Sequence, residues 1–288
     1  MTILLADVHA FLDARKSALE DTARVDVYEA LLSSVLKRLG VNLGKVNFVR
    51  GSSFQTSPAY TLDLLRLLNR VTVKGASHAG ADVVKQSDNP LLGGLVYPLM
   101  QSLDEVHLAP NLDFELGGVD QRKIFCFSLD HLPRRPDGFS YIMNPMLPAL
   151  RRAASAGEDA AGKMSSSETV GKIDLLDTPR EIGKKVGSAF CQEGDVDDNS
   201  LLPLCRQVIF PCLKRLGKPF IVTRPEKFGA QVVFTCFDEL VALFREGKLH
   251  PADLKREMTA ALAWILEPIR EEWASEEKKT LLGRAYPA

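Results

Sequence analysis

At Phe114-Glu-Leu-Gly-Gly-Val-Asp-Gln-Arg-Lys-Ile-Phe125 the chain passes from a short strand through two glycines into a helix. Glycines at the carboxyl end of a strand let a nucleotide approach the backbone, and a neighbouring Asp can accept ribose hydroxyls. Glycine pairs are also common in ordinary turns, so this stretch only suggests a nucleotide site. It does indicate the strand-then-helix unit of an α/β fold.

The same alternation recurs on both sides of this stretch. Apolar or β-branched runs predict strands at Thr2–Ala6, Lys45–Val49, Phe114–Leu116 and Tyr141–Met143, and helical patterns lie between them, for example from Leu19 to Leu39 with Gly40 as its stop. Strands that alternate with helices favour a parallel sheet. After Asp177 the pattern becomes helical, with a break at Thr178-Pro179. We therefore predict an α/β domain over residues 1–178 and an α-rich domain over residues 179–288.

Composition excludes several classes of protein. Hydrophobic residues make up 45% and charged residues 25% of the 288 residues, which is typical of a soluble globular protein. The net charge of -1 gives no indication of a nucleic-acid partner. The five cysteines form no C-x-x-C pair, so neither disulfides nor a zinc site is predicted. The sequence shows no signal peptide and no apolar run near the roughly 20 residues that span a bilayer, so we expect a cytoplasmic location.

A loop motif and a helix carry the candidate chemistry. In Gly162-Lys-Met-Ser-Ser-Ser167, a lysine flanked by hydroxyls suits a clamp on a triphosphate, although a solvated Ser-rich turn is the alternative. In the apolar helix that starts at Asn89-Pro90, the residues Tyr97, Gln101 and Asp104 share one face. A buried polar stripe must meet partners or line a cavity, so it is either a binding site or part of a satisfied core. His9 follows the first strand, where a turn or capping role is the alternative.

These pieces occur in a fixed order, and the matching segments run from Thr2 to about Pro287. They are Leu5-Ala-Asp-Val-His-Ala-Phe-Leu-Asp13, Ala79-Gly-Ala-Asp-Val-Val-Lys-Gln86, Asn89-Pro-Leu-Leu92, Gly117-Gly-Val-Asp-Gln-Arg-Lys-Ile-Phe125, Met143-Asn-Pro-Met146, Lys172-Ile-Asp-Leu-Leu-Asp177, Arg224-Pro-Glu-Lys-Phe228, His250-Pro-Ala-Asp-Leu-Lys255 and Glu267-Pro-Ile-Arg-Glu271. Together they resemble the tyrosyl-tRNA synthetases of eukaryotes and archaea, most of all the fungal cytosolic type. The resemblance implies a Rossmann-like catalytic domain over 1–178 and a helical anticodon-binding domain over 179–288.

The resemblance also implies a role for each matching position. Tyr97, Gln101 and Gln121 would surround the amino group of tyrosine, Asp104 would accept from its phenol, and His9 and Phe54-Gln55 would line the pocket. Gly118 and Asp120 would meet the ribose of ATP, and Lys163, Met164, Ser165, Ser166 and Ser167 its phosphates. For tRNA, Arg122 would touch the acceptor stem, and Phe228 and Asp253 would bind the first anticodon base. Lys214, Arg215, Lys218, Arg224 and Lys227 would contact phosphates.

The implied reaction is a ligation in two steps, from ATP and tyrosine to tyrosyl-adenylate and then to tyrosyl-tRNA. Mg²⁺ would arrive with ATP, since the sequence shows no cluster of metal ligands and implies no organic cofactor. The partners would be tRNA(Tyr), L-tyrosine, ATP and a second copy of the chain, paired through the face that carries Asp82–Leu92. The tryptophan enzyme is the alternative within the class, and a truncated non-catalytic form that binds tRNA or a protein is the alternative outside it.

The sequence departs from the family pattern at several places. In the family, a strand carrying a pocket tyrosine and a His-containing signature loop precede the segment that matches Thr2, so we expect this chain alone to be nearly inactive in tyrosine activation. The loop Arg151–Gly162 is longer than usual. Phe114-Glu115 replaces a small residue and a Gln, which affects the volume of the pocket, and Gly229-Ala230 replaces two glycines beside Phe228.

Overall fold

A computed structural model describes residues 1–14, 22–84, 89–108, 112–133, 139–150, 171–224 and 226–287. The chain divides into two compact units. The first comprises Met1–Leu32, Asn42–Met146 and Thr280–Ala288, and the second comprises Ser33–Val41 and Leu147–Lys279. These units are defined by packing, so the predicted division into functional domains at residue 178 stays a prediction.

The strands of the described residues form three pairs. They are β1 (Thr2–Leu5), β2 (Asn47–Arg50), β3 (Phe114–Gly118), β4 (Ser140–Asn144), β5 (Phe220–Val222) and β6 (Val232–Phe234). In the first unit β1 pairs with β2 and β3 with β4, and both pairs are parallel. The predicted α/β character is thereby confirmed, and each of the four predicted strands is found within a few residues of its expected bounds. The antiparallel pair of β5 and β6 in the second unit was not predicted.

Thirteen α-helices occur in the described ranges. They are α1 (Asp7–Ala14), α2 (Ala23–Arg38), α3 (Ser52–Gln55), α4 (Pro58–Leu68), α5 (Val73–Ala79), α6 (Leu92–His107), α7 (Arg122–His131), α8 (Pro179–Ser188), α9 (Leu202–Leu204), α10 (Phe210–Arg215), α11 (Phe237–Arg245), α12 (Pro251–Trp273) and α13 (Glu276–Ala285). Within the described parts of the chain, no helix is both long and apolar enough to cross a membrane.

Local sequence explains several helix ends. The Ser57 side chain accepts a hydrogen bond from the Tyr60 N–H and Pro58 occupies the first turn of α4, as the Ser-Pro pair predicted. Thr178 and Glu181 form a reciprocal capping box at the start of α8. Gly40 follows α2 with a φ of 71°, a left-handed conformation that favours glycine, so the predicted stop is confirmed.

Helix α6 is the centre of the first unit. Leu99, Met100 and Leu103 on α6 are buried, and they pack in one cluster with residues of α1, α4, α5 and α7. The other buried members of that cluster are Val8, Tyr60, Leu67, Ala76, Ala79 and Phe127. Because residues 98–100 and 102–105 of α6 are buried, a polar group on this part of the helix must find its partner inside the unit.

In the second unit, Arg38 compensates a proline inside α12. Pro268 has no N–H to donate to the carbonyl oxygen of Trp264, four residues earlier in the helix. The Arg38 guanidinium donates to this oxygen at 3.3 Å and to the Ile265 carbonyl at 3.0 Å. It also lies 4.5 Å from the centre of the Trp264 ring, a cation–π distance. The Arg38 side chain, at the end of α2, therefore supplies the hydrogen bond to the Trp264 carbonyl that the backbone of Pro268 cannot donate.

We expect Gly117→Ala to destabilise the protein, because a Cβ at this position would lie 2.7 Å from Phe125 Cζ and 3.1 Å from Gln121 Cγ. Overpacking of this kind costs about 1–3 kcal/mol. Gly187→Ala is the control, since nothing lies within 4 Å of the added Cβ and helix propensity should contribute up to about 1 kcal/mol. Urea unfolding of both variants checks this, and equal midpoint shifts would show that the contact with Phe125 is unimportant.

Candidate active site

Asp104 is a buried carboxylate on the apolar helix α6, with only 4% of its surface exposed. Its Oδ1 accepts from Gln55 Nε2 at 2.7 Å and lies 2.9 Å from the hydroxyl of Tyr60. Burial raises the pKa of Asp104 to about 7, while the hydrogen bonds from Gln55 and Tyr60 act in the opposite direction. This carboxyl group therefore titrates near neutral pH.

His9 comes from α1 and faces the same carboxylate. Its Nε2 lies 3.6 Å from Asp104 Oδ2, and its Nδ1 lies 3.3 Å from Gln55 Nε2. Burial lowers the pKa of His9 to about 4, so the ring is neutral and the contact with Asp104 is not an ion pair. The edge of the ring meets Tyr97 at 4.7 Å between ring centres. The structure thus brings together four of the predicted pocket residues, His9, Gln55, Tyr97 and Asp104.

Four buried side-chain atoms in the described residues have no hydrogen-bond partner. They are His9 Nε2, Gln55 Oε1, Gln101 Oε1 and Asp104 Oδ2. Native proteins leave few such atoms, because an unsatisfied buried polar group costs about 1–3 kcal/mol. All four belong to residues that the sequence assigned to one binding site. The arrangement is suited to a ligand that carries both hydrogen-bond donors and a hydroxyl oxygen.

The end of β3 supplies the next group of predicted residues. After β3 a short 3₁₀ turn, Val119–Gln121, leads into α7, whose first residue is Arg122. Gln101 Nε2 donates to Gln121 Oε1 at 2.7 Å, which joins the polar face of α6 to this turn. Asp120 Oδ1 lies close to where a Gly118 Cβ would be, so the carboxylate packs against the backbone at the end of β3.

Tyr97 lies between these two groups. Burial raises the pKa of its phenol to about 12, and the carboxylates of Asp13, Asp104 and Asp120 raise it further. Its hydroxyl therefore stays protonated at neutral pH and can act as a hydrogen-bond donor. Asp104 and Asp120 both raise the pKa of this phenol. The residues predicted to bind tyrosine and those predicted to bind the ribose therefore share one region of the first unit.

The predicted phosphate clamp lies outside the described residues. Lys163, Met164, Ser165, Ser166 and Ser167 fall within residues 151–170, so their contact with a triphosphate stays a prediction.

In the second unit, the predicted anticodon residues lie on two elements. Phe228 ends a short 3₁₀ turn, Glu226–Phe228, and Asp253 lies in the first turn of α12. Asp253 Oδ1 accepts from Arg256 Nη1 at 2.7 Å. The base contacts expected of Phe228 and Asp253 stay predictions.

Several of the cations predicted to contact phosphates have partners within the second unit. Arg215 donates to the carbonyls of Leu39 and Gly40, and Arg224 donates to those of Ala230 and Lys248. Lys218 Nζ lies 4.1 Å from the centre of the Trp264 ring. These side chains hold the protein together in this conformation, and their phosphate contacts stay predictions.

Two residues important for the site were not identified from the sequence. Tyr60 is fully buried, and its hydroxyl lies 2.8 Å from the Met100 carbonyl oxygen and 2.9 Å from Asp104 Oδ1. Asp7 Oδ1 accepts from the N–H of Ser52 at 2.8 Å, which places α3 and therefore Gln55. Neither residue was assigned a role from the sequence, and the only signal for Tyr60 was a polar atom on an apolar helix face.

Within the described ranges, no group of three or more His, Cys, Asp and Glu side chains could hold a metal ion.

The family profile "tRNA synthetases class I (W and Y)" matches residues 1–267. The cytoplasmic tyrosine--tRNA ligase of Saccharomyces cerevisiae is 44% identical, over all of this chain and 72% of its own length. The cytoplasmic tyrosine--tRNA ligase of Xenopus laevis is 45% identical, and this chain spans 52% of the length of that protein. The Archaeoglobus fulgidus tyrosyl-tRNA synthetase complexed with L-tyrosine is 34% identical, with a TM-score of 0.78 over 94% of this chain and 79% of that one.

The Pyrococcus horikoshii tyrosyl-tRNA synthetase complexed with L-tyrosine has a TM-score of 0.85 at 25% identity, over 99% of this chain and 81% of that one. Sequence and structure thus agree on the family over almost the whole chain. The chain belongs to the class I tRNA synthetases (W and Y), and among them to the tyrosine--tRNA ligases of the eukaryotic and archaeal type.

Proposed function

We propose that the protein is a tyrosine--tRNA ligase, which activates L-tyrosine with MgATP and transfers the tyrosyl group to tRNA(Tyr). One observation carries this proposal. The four unpartnered buried polar atoms belong to His9, Gln55, Gln101 and Asp104, which are four of the residues that the resemblance assigns to the tyrosine pocket. A solved relative with L-tyrosine bound shares the fold.

The unpartnered atoms match the polar groups of tyrosine. Asp104 Oδ2 is an acceptor for the phenolic hydroxyl, and the N–H at His9 Nε2 could donate to the oxygen of that hydroxyl. Gln101 Oε1 is an acceptor for the substrate ammonium, and Gln101 is held in place by its hydrogen bond to Gln121. A ligand with a hydroxyl at one end and an ammonium at the other would satisfy both groups of atoms.

A buried carboxylate also favours tyrosine over tryptophan. Asp104 already accepts from Gln55 and lies within hydrogen-bond distance of Tyr60, so the site holds it in one position. A fixed acceptor with one open oxygen suits a phenol better than the edge of an indole. A site that hydrogen-bonds a substrate hydroxyl also rejects the analogue without it, because its polar groups are then left unpaired, and tyrosyl-tRNA synthetase is itself the standard example of this effect.

The remaining roles follow the resemblance. Gly118 and Asp120 would meet the ribose of ATP, and Lys163, Met164 and Ser165–Ser167 would contact the phosphates, with Mg²⁺ as part of the MgATP substrate. Arg122 would touch the acceptor stem of tRNA(Tyr). A cytoplasmic location is proposed because the relatives in yeast and Xenopus are named as cytoplasmic enzymes.

Asp104→Asn should weaken tyrosine binding by roughly 10- to 100-fold, because a charged hydrogen bond contributes about 1.5–3 kcal/mol. Phenylalanine binding should change little, since this ligand offers no hydroxyl to Asp104. Calorimetric titration of the chain with tyrosine, phenylalanine and tryptophan would measure both effects. Equal losses for tyrosine and phenylalanine would mean that Asp104 is structural, and tighter binding of tryptophan than of tyrosine would favour the tryptophan enzyme.

The same experiment has a pH signature and a matched control. Because the pKa of Asp104 is near 7, tyrosine affinity should rise as the pH rises through 7 and the carboxyl group ionises. Phenylalanine affinity and the Asp104→Asn variant should lack this rise. Asp238→Asn makes the same chemical change at an exposed position in the first turn of α11, so it should bind tyrosine as the wild type does.

In an enzyme restored to full length with the N-terminal strand and the His-containing loop, Phe228→Ala and Asp253→Ala should reduce aminoacylation of tRNA(Tyr) and leave tyrosine-dependent pyrophosphate exchange unchanged. The reason is that stacking on a splayed base and an acid on its donor edge act only on tRNA. Glu276→Ala is the control, because it removes an exposed ion pair to Lys279 of the same i,i+3 type as Asp253–Arg256. A parallel loss of exchange activity would contradict separate roles for these residues.

We further propose that two copies of the chain pair through the face that carries Asp82–Leu92. Leu91 is 48% exposed and Leu92 is 78% exposed, which is a large apolar surface to leave in water. Leu92→Glu should therefore give a monomer, while Leu65→Glu, at a 57% exposed leucine on α4, should leave the assembly unchanged. Sedimentation velocity at micromolar concentration checks this, and a monomeric wild type would reject the proposal.

A further inference from the structure

Glu115 is a carboxylic acid inside the first unit for which the proposed reaction has no assigned role. It lies on β3, two residues before Gly117, so both residues face the same side of the strand. A Cβ on Gly117 would meet Phe125 and Gln121, which shows that this side faces α7 and the predicted site. In the neighbouring strand β4, Tyr141 lies directly opposite Glu115.

The carboxyl group of Glu115 lies close enough to that of Glu105, the residue that follows Asp104 on α6, for the two to interact. The two oxygens of Glu105 already have hydroxyl partners. Ser128 Oγ donates to Oε1 at 2.6 Å, and the Tyr141 hydroxyl donates to Oε2 at 2.8 Å. Hydrogen bonds donated by two hydroxyls favour the ionised form of Glu105. Two ionised carboxylates cannot hydrogen-bond to each other, so a proton shared by the pair resides preferentially on Glu115.

This carboxyl pair is close to the substrate acceptor. Burial raises the pKa of Glu115 to about 8, and the charges of Glu105 and Asp104 raise it further. Glu105 in turn raises the pKa of Asp104. Asp104 Oδ2 remains buried and unpartnered, ready for a donor from a ligand. Three carboxyl groups therefore share one region, and only two of them can be charged without strong mutual repulsion.

We infer that Glu115 is a positioning residue for recognition of the substrate hydroxyl. As a neutral acid it donates to Glu105 and fixes the turn of α6 that carries Asp104, and because it is uncharged it lets Asp104 be the ionised acceptor. The inference rests on the proposed function, since it concerns the same tyrosine pocket. It adds a residue on β3 to a recognition site that otherwise lies on α1, α3 and α6.

Ionisation of Glu115 should disrupt this arrangement. The titratable groups that face it are Asp104 and Glu105 on α6 and Tyr141 on β4. The pKa of Tyr141 is raised well above its ordinary value by burial and by Glu105, so its phenol does not ionise in this range. As the pH rises above 8, Glu115 alone gains a charge, and it then repels Glu105 and Asp104. Tyrosine affinity should fall as a result.

The test compares three proteins, wild type, Glu115→Gln and Glu115→Ala, by tyrosine titration at pH 7 and pH 9. Glutamine keeps the neutral donor to Glu105, so its dissociation constant at pH 7 should lie within about twofold of the wild type. Alanine removes the donor and should weaken binding roughly tenfold. At pH 9 the wild type should lose affinity relative to Glu115→Gln, while the ligand titrates identically in all three proteins.

The outcomes separate this inference from the proposed function. A wild type that does not bind tyrosine at pH 7 overturns both. A wild type that binds, with the same pH 7 to pH 9 ratio as Glu115→Gln, overturns the role of Glu115 alone, and so does a Glu115→Ala protein of wild-type affinity.

Thermal unfolding supplies a readout that needs no ligand. Because the pKa of Glu115 rises on folding from 4.5 to about 8, its contribution to stability is fully present below pH 4.5 and is lost by pH 8. The wild type should therefore lose more stability over this range than Glu115→Gln. If the stability of the wild type and of Glu115→Gln changed equally between pH 4.5 and pH 8, Glu115 would be ionised in the folded protein. That result would contradict the inference.

Discussion

The buried carboxylate of Asp104 constrains the rest of the first unit. A charge on an apolar helix is tolerated only if hydrogen bonds replace water, so the fold must deliver donors to that one place. They come from separate elements, Gln55 on α3 and Tyr60 on α4, with His9 on α1 at 3.6 Å. Asp7 holds α3 in place by accepting from Ser52. The packing of helices around α6 is thus tied to a single polar requirement.

That requirement is only partly met, which distinguishes a binding site from a polar core. One oxygen of Asp104 has two donors within reach, and the other has none among the described residues. Replacement of Asp104 by a neutral or apolar residue could make the unit more stable, because burial opposes the charged form. The carboxyl group of Asp104 therefore lowers the stability of the protein without a ligand. It becomes useful when a ligand supplies the missing hydrogen-bond donor.

The sequence predicted features that depend on local signals. Ser57-Pro58 and Gly40 marked helix ends correctly, and the spacing of Tyr97, Gln101 and Asp104 placed them on one face. Contacts between distant segments could not be predicted in this way. Tyr60 resembles an ordinary core aromatic, and the pairing of Glu115 with Glu105 depends on how β3 lies beside α6. The strands β5 and β6 are three residues long, too short for an alternating pattern.

The link between Arg38 and α12 has a consequence for the order in which the chain can fold. Arg38 binds the carbonyl of Ile265, 227 residues later, and the intervening segment Asn42–Met146 belongs to the other unit. During synthesis on a ribosome, the end of α2 emerges long before its acceptors exist. The carbonyl that Pro268 leaves open likewise has to find a donor that was synthesised more than 200 residues earlier. Completion of the second unit is therefore a late event, which a nascent chain ending before residue 265 cannot reach.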